Sequence, residues 1–195
     1  MGRDKALLPL RPGDPPLAAT VIARARLVAD EVFVVARDRP AYEAFGVPVV
    51  PDLEHDAGTL GGIATALHAA ANDYCLVLAC DLPFLNPVLL KWLAAQPRDY
   101  EALVPRLPGE SRQGGAFVYQ TLHAIYAKRC LPVIQQRLAQ GRRQIVGFFD
   151  EVRLRPVEAE VIAVMDPDFR SFFNANSPEA AEEARTLLEK IPASG

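Results

Sequence analysis

The chain has 195 residues, half of them hydrophobic, and a formal net charge of −3. That length suits a single domain spanning 1–195, and the slightly acidic balance excludes the broad basic face of a nucleic-acid binder. No apolar run is long enough for a membrane helix, and Arg3, Asp4 and Lys5 are followed by too few apolar residues for a signal peptide.

Helical periodicity runs from Leu17 to Ala29. The apolar run Glu31–Ala36 reads as a buried strand, and Pro40–Phe45 as a brief helix stopped by Gly46. Val47–Val50 is a second strand, with Pro48 suggesting an edge or early strand position. Gly61–Ala71 is an alanine-rich helix, and Tyr74–Cys80 is the clearest buried strand. Asn86 caps a helix that takes Pro87 in its first turn and runs to Ala95. Ala102–Pro105 and Ala116–Tyr119 are strand-like, Leu122–Ala139 reads as helix broken at Pro132, and Val152–Val157 as strand. Ser177 and Pro178 open a closing helix to Glu189. The β-α-β-α rhythm predicts an α/β fold with a mostly parallel sheet between two helical layers. Ligands then bind beyond the carboxyl ends of the strands.

The residues at those ends carry the chemistry. Asp81 follows the strongest strand and is placed to hold Mg²⁺, which prefers carboxylate, water and phosphate oxygens. Asp52 follows another strand, after Val49-Val50-Pro51. Taken singly, each reads as a turn cap; as a pair they face one crevice. Thr59-Leu60-Gly61-Gly62-Ile63 enters a helix whose first N–H groups, from Leu60 and Gly61, suit a base or phosphate. Lys5 stands before the apolar Ala6-Leu7-Leu8, and Asn174 and Asn176 precede the last helix with no capping role of their own. His55, His68 and His123 have no ligand-like spacing. The three cysteines, Cys75, Cys80 and Cys130, lack metal-knuckle spacing, which fits a reduced, cytoplasmic protein.

The ordered set Met1–Leu8, Val49–Asp52, Thr59–Ile63, Ala79–Phe84 and Phe173–Glu179 resembles the molybdenum cofactor guanylyltransferase family of MobA-like NTP transferases. The resemblance implies a three-layer αβα sandwich of the nucleotide-diphospho-sugar transferase (glycosyltransferase-A-like) type. It implies transfer of GMP from GTP to a molybdopterin-type cofactor, with release of pyrophosphate and dependence on Mg²⁺. Lys5 would contact the phosphates, Asp81 would hold Mg²⁺, and Asp52, Leu60 and Gly61 would bind the nucleotide. Asn174 and Asn176 would face the acceptor, and a molybdoenzyme or cofactor-maturation protein is the expected partner. A related cytidylyl- or sugar-phosphate nucleotidyltransferase, and a non-catalytic cofactor-binding remnant, are the alternatives.

The chain departs from the family pattern in three places, one being Val34-Val35-Ala36-Arg37, which lacks the asparagine some relatives use near the nucleotide. The first strand and glycine-rich phosphate loop, which in the family precede the lysine, are not found in these 195 residues. The segment Gln113–Tyr119 has Gly114-Gly115 where the family usually has Pro-Leu.

Overall fold

The computed structural model describes residues 5–37, 39–53, 57–110 and 116–190. Met1–Asp4, His55 and the Gly114-Gly115 pair lie outside the described residues.

A 3₁₀ turn at Lys5–Leu7 leads to helix α1 (Leu17–Ala25), with a bridge between Pro9 and Pro16 closing the intervening loop. Strand β1 (Val34–Val35), helix α2 (Arg39–Glu43) and strand β2 (Val49–Val50) follow, and β1 and β2 pair in parallel. Helix α3 (Gly58–Ala69) begins at Gly58, whose φ of 61° is a left-handed turn that glycine adopts without steric cost. Next come β3 (Tyr74–Leu78), α4 (Pro87–Ala94), β4 (Ala102–Pro108), β5 (Phe117–Tyr119) and β6 (His123–Ala127). The chain ends with α5 (Leu131–Ala139), β7 (Leu154–Val157), α6 (Ala159–Ala163) and α7 (Pro178–Glu189).

The main sheet runs β3-β6-β4-β5, with β7 beside β4. It is mixed: β3/β6, β6/β4 and β4/β5 are antiparallel, and only β4/β7 is parallel. The expected mostly parallel sheet is thus corrected, and two of the three antiparallel pairings come from one segment. His123–Ala127 belongs to the stretch Leu122–Ala139 that reads as helix, but it is a central strand buried on both faces. A short apolar run in such a position has no alternation to separate it from helix.

Side-chain alternation builds the layers. Ala102, Val104, Ala124 and Tyr126 point to one face, where Leu60, Ile63 and Leu67 of α3 and Ile134 of α5 cover them. Leu103 and Ile125 point to the other, under Leu89 and Leu93 of α4 and Ile162 of α6. Each fully buried leucine contributes roughly 2 kcal/mol. Asn86 caps α4 as expected: its Oδ1 accepts from the N–H of Val88 at 2.8 Å, and its Nδ2 donates to the Met165 carbonyl at 2.7 Å.

Among the described residues the two sheets share no strand pairing. Between β1 and β3 lies a cavity of about 990 Å³, walled by Val34, Val35, Leu76 and Val77 and floored by Val21 and Ile63. All five residues of β3 are only half-buried, although the sequence Tyr-Cys-Leu-Val-Leu is that of a core strand. The neighbouring β6 is buried throughout. The expected strand Glu31–Ala36 shortens to Val34–Val35 for the same reason: it has a partner on one side only.

Candidate active site

The cavity has an apolar body and a polar mouth. Lys5, Asp52, Asp81, Asn174 and Asn176 all line it. Asp81 stands just past the carboxyl end of β3, half-buried. Its carbonyl accepts the N–H of Ala175 at 2.9 Å, which fixes the loop between α6 and α7 against the strand end. Ala175 is 1% exposed and packs with Leu10, Leu17 and Ala184, so its neighbours Asn174 and Asn176 present exposed side chains on either side of an anchored residue. The Lys5 ammonium donates to the carbonyl of Asn176. Lys5 therefore sits at the same strand end as Asp81, held by a segment from the far end of the chain.

Asp52 follows β2 and is tied to α3. The Thr65 hydroxyl donates to Asp52 Oδ1 at 3.2 Å and accepts the N–H of Leu53 at 3.1 Å. Thr65 is 1% exposed and both of its hydrogen-bonding roles are used. Nothing in the sequence singles out this mid-helix threonine; it is found only when the loop after β2 is seen crossing α3.

Leu60 and Gly61 stand differently from the carboxylates. The Leu60 side chain is fully buried in the core under β4 and β6, so only its main chain is available to a ligand. Thr59 and Gly62, one residue to either side, line the cavity. Glu179, at the first turn of α7, brings a further charge close. Its carboxyl is held below the usual range by its own backbone N–H and the Ser177 hydroxyl, with a smaller contribution from Lys5.

Among the described residues no cluster of three or more metal-ligating side chains exists, and no helix is long and apolar enough to cross a membrane. A lone carboxylate at a strand end fits Mg²⁺ only in the manner this ion favours, with water and substrate phosphate completing its octahedron. Asp81, just past the end of β3, is a carboxylate so placed.

An α/β fold whose lysine and two carboxylates line one crevice past strand carboxyl ends is built to bind a ligand there. The chain belongs to the MobA-like NTP transferase domain family, whose model matches residues 1–168. It is 33% identical over 189 residues to the probable molybdenum cofactor guanylyltransferase of Pelotomaculum thermopropionicum, covering 97% of this chain and 87% of that protein. It is 31% identical over 163 residues to the molybdenum cofactor guanylyltransferase of Desulfosudis oleivorans, covering 83% of this chain and 77% of that one. The fold matches that of molybdopterin-guanine dinucleotide biosynthesis protein A from Archaeoglobus fulgidus, with a TM-score of 0.79, 23% identity and 97% and 93% coverage of the two chains. It also matches 2-C-methyl-D-erythritol 4-phosphate cytidylyltransferase from Thermus thermophilus, with a TM-score of 0.69, 20% identity and 95% and 94% coverage.

Proposed function

We propose that this chain transfers GMP from GTP to the terminal phosphate of a molybdopterin-type cofactor. A phosphate oxygen of the cofactor attacks the α-phosphorus of GTP, the bond from that phosphorus to the bridging oxygen breaks, and pyrophosphate leaves. The chain's contribution is alignment and charge stabilisation. The carrying observation is the convergence of Lys5, Asp81 and the Asn174–Asn176 segment at one strand end, in a chain whose relatives bear the guanylyltransferase name.

Lys5 faces the triphosphate. An ammonium has three donors, so it can keep the Asn176 carbonyl while reaching a phosphate oxygen. Asp52, held by Thr65, contacts the nucleotide together with the Leu60 main chain at the start of α3, where the Gly61 N–H already donates to the Ala57 carbonyl at 3.3 Å. Asn174 and Asn176 hydrogen-bond the acceptor. The mouth carries one described lysine against the carboxylates of Asp52 and Asp81, with Glu179 nearby, so a bare triphosphate would be repelled. Bound Mg²⁺, held by Asp81, would neutralise phosphate charge and assist the departing pyrophosphate. A cytoplasmic location belongs to the same proposal, supported by the cysteine pattern.

The test is turnover of GTP, CTP and UTP with Mg²⁺ and molybdopterin-type acceptor, following pyrophosphate release and the dinucleotide product. GTP-dependent product supports the reading. Product from CTP alone, or binding of the acceptor with no nucleotide affinity, overturns it.

A further inference from the structure

A second, smaller hollow of about 420 Å³ falls within the roughly 300–1,000 Å³ of small-molecule sites. Leu107 of β4 and Gln120 after β5 line it on one side, and Glu183 and Leu187 of α7 on another, with Phe169, Phe172 and Phe173 between. It shares no lining residue with the large cavity, yet the two are neighbours on one rim. Phe173 lines the hollow, and Asn174, next in the chain, lines the mouth. Gln120 lines the hollow, and Leu122, whose carbonyl accepts the Ala79 N–H at 2.9 Å, lines the cavity. Strands β3 and β4 are both antiparallel to β6, so Leu107, near the end of β4, stands at the same edge of the sheet as Asp81.

The walls are fixed before any ligand arrives. Asp166 is 6% exposed; its Oδ1 accepts the Arg170 N–H at 3.2 Å and its Oδ2 the Ser171 N–H at 2.8 Å. The loop so held keeps Phe169 at a φ of 54°, a left-handed conformation that a bulky aromatic adopts only where its surroundings enforce it. His123 backs the Phe172 ring at 4.8 Å, and Phe84 meets the Phe173 ring edge-on at 5.7 Å. All three phenylalanines nevertheless stay only half-buried. Polar groups stand around them. Glu183 lies one turn before Leu187 on α7 and forms no ion pair among the described residues. Asp168 and Arg170 pair at 2.8 Å. The Gln120 amide donates one N–H to the Val118 carbonyl at 3.5 Å and keeps its second.

We propose that this hollow is the subsite for the pterin ring of the acceptor, packed on the phenylalanine side chains and held by Glu183; the assignment rests on that acceptor being of molybdopterin type. The amino-oxo edge of a pterin presents two adjacent N–H donors, which one carboxylate accepts together. The carbonyl beside them suits the remaining Gln120 N–H. Seated there, the acceptor reaches the mouth past Asn174, while the nucleotide keeps the α3 side with Asp52.

Binding of two free rings tests this without turnover. Pterin carries the amino-oxo edge; lumazine has the same fused ring with a second carbonyl in place of the amino group. In fluorescence titrations the 195-residue protein should bind pterin about ten-fold more tightly than lumazine. In Glu183→Gln, at an exposed position of α7, that preference should vanish, and in Glu182→Gln it should remain. Phe169→Gly removes one ring while suiting the left-handed backbone, and it should weaken both ligands about ten-fold. A preference that survives Glu183→Gln overturns the proposal, as does absence of pterin binding to the wild type. Guanine carries the same edge as pterin, so displacement of pterin by an equal concentration of guanosine makes the hollow a nucleotide-base site and overturns the assignment. Kinetics separates the subsite from the reaction: in Glu183→Gln the KM for the acceptor should rise about ten-fold with the KM for GTP unchanged. If the wild type forms product and that KM does not move, the subsite is wrong and the reaction stands. If no product forms from GTP while pterin binding depends on Glu183, the reaction is wrong and the pterin subsite stands.

Discussion

The Lys5 ammonium donates to the main-chain carbonyl of Asn176, a contact between residues 171 positions apart. It closes a ring: Lys5 holds Asn176, and the adjacent Ala175 holds the carbonyl of Asp81. Three segments named separately in the sequence meet through two hydrogen bonds. Lys5→Met keeps the length of the side chain and removes its charge. The expected outcome is a fall of about 100-fold in kcat/KM for GTP, the scale of losing one charged donor to a reacting phosphate. Lys5→Arg should restore part of it. Unchanged turnover in Lys5→Met would remove the residue from the phosphate site.

Thr65 should act on Asp52 and not on chemistry. Thr65→Val keeps the shape and removes both the donor to Asp52 and the acceptor for the Leu53 N–H. KM for GTP should rise roughly 3- to 10-fold with kcat within about two-fold, since about 1 kcal/mol of positioning is lost. Thr65→Ser, which keeps the hydroxyl, should return KM toward the wild-type value. Steady-state kinetics on the three proteins separates this from a general loss of fold, which would lower kcat in step.

How legible these relationships are depends on their range along the chain. Asn86 and Ser177 declare their capping roles within a few residues, and the structure bears out both: Ser177 Oγ accepts the Ala180 N–H at 3.0 Å. The strand His123–Ala127 is not legible, because its identity comes from β3 and β4 on either side and not from its own pattern. The antiparallel pairing that follows is equally hidden. Leu60 shows the same limit at the site: Thr59–Ile63 marks a helix entry, though α3 begins at Gly58 and not at Gly61, and which side chain turns to the core is decided by β4 and β6. The mouth was readable because strand ends carry Asp52 and Asp81 directly; Thr65, which positions one of them, has no local signal.

Asn86 joins a local cap to a distant strap. Asn86→Ala removes the acceptor for Val88 and Leu89 and strands the Met165 carbonyl. The cap alone is worth about 1 kcal/mol, and the lost tertiary bond brings the cost to about 2 kcal/mol. For a chain of this size that lowers Tm by roughly 4–8 °C. Asn86→Asp keeps the acceptor and loses the donor, so it should cost about half as much. A scanning calorimetry series in which both variants melt with wild type would contradict the double role.

Acid should destabilise the protein through His123. This residue is 2% exposed in β6, with its ring 4.8 Å from that of Phe172, just before the Asn174–Asn176 segment. Burial pulls its pKa down from 6.5 to about 4, opposed by the Ser171 backbone and the Asp166 carboxylate. The folded state therefore prefers the neutral imidazole. Between pH 6.5 and about 4 the unfolded chain binds the extra proton, so stability falls as pH falls through that window and is unaffected by this group above it. At pH 4.5 the loss amounts to about 2.5 kcal/mol relative to pH 8. Urea denaturation of wild type and His123→Gln at pH 8, 5.5 and 4.5 isolates the effect, because the carboxylates titrate alike in both proteins. The difference in stability between the two should shrink by about that amount on acidification; a difference independent of pH would mean that His123 is protonated in the fold or readily solvated. Asp166 accepts the N–H of Ser171 at 2.8 Å, and Ser171 Oγ accepts the N–H of Asn86 at 3.1 Å. Charging His123 thus strains the same short segment that carries Asn174 and Asn176, and activity should decline with stability on the acid side.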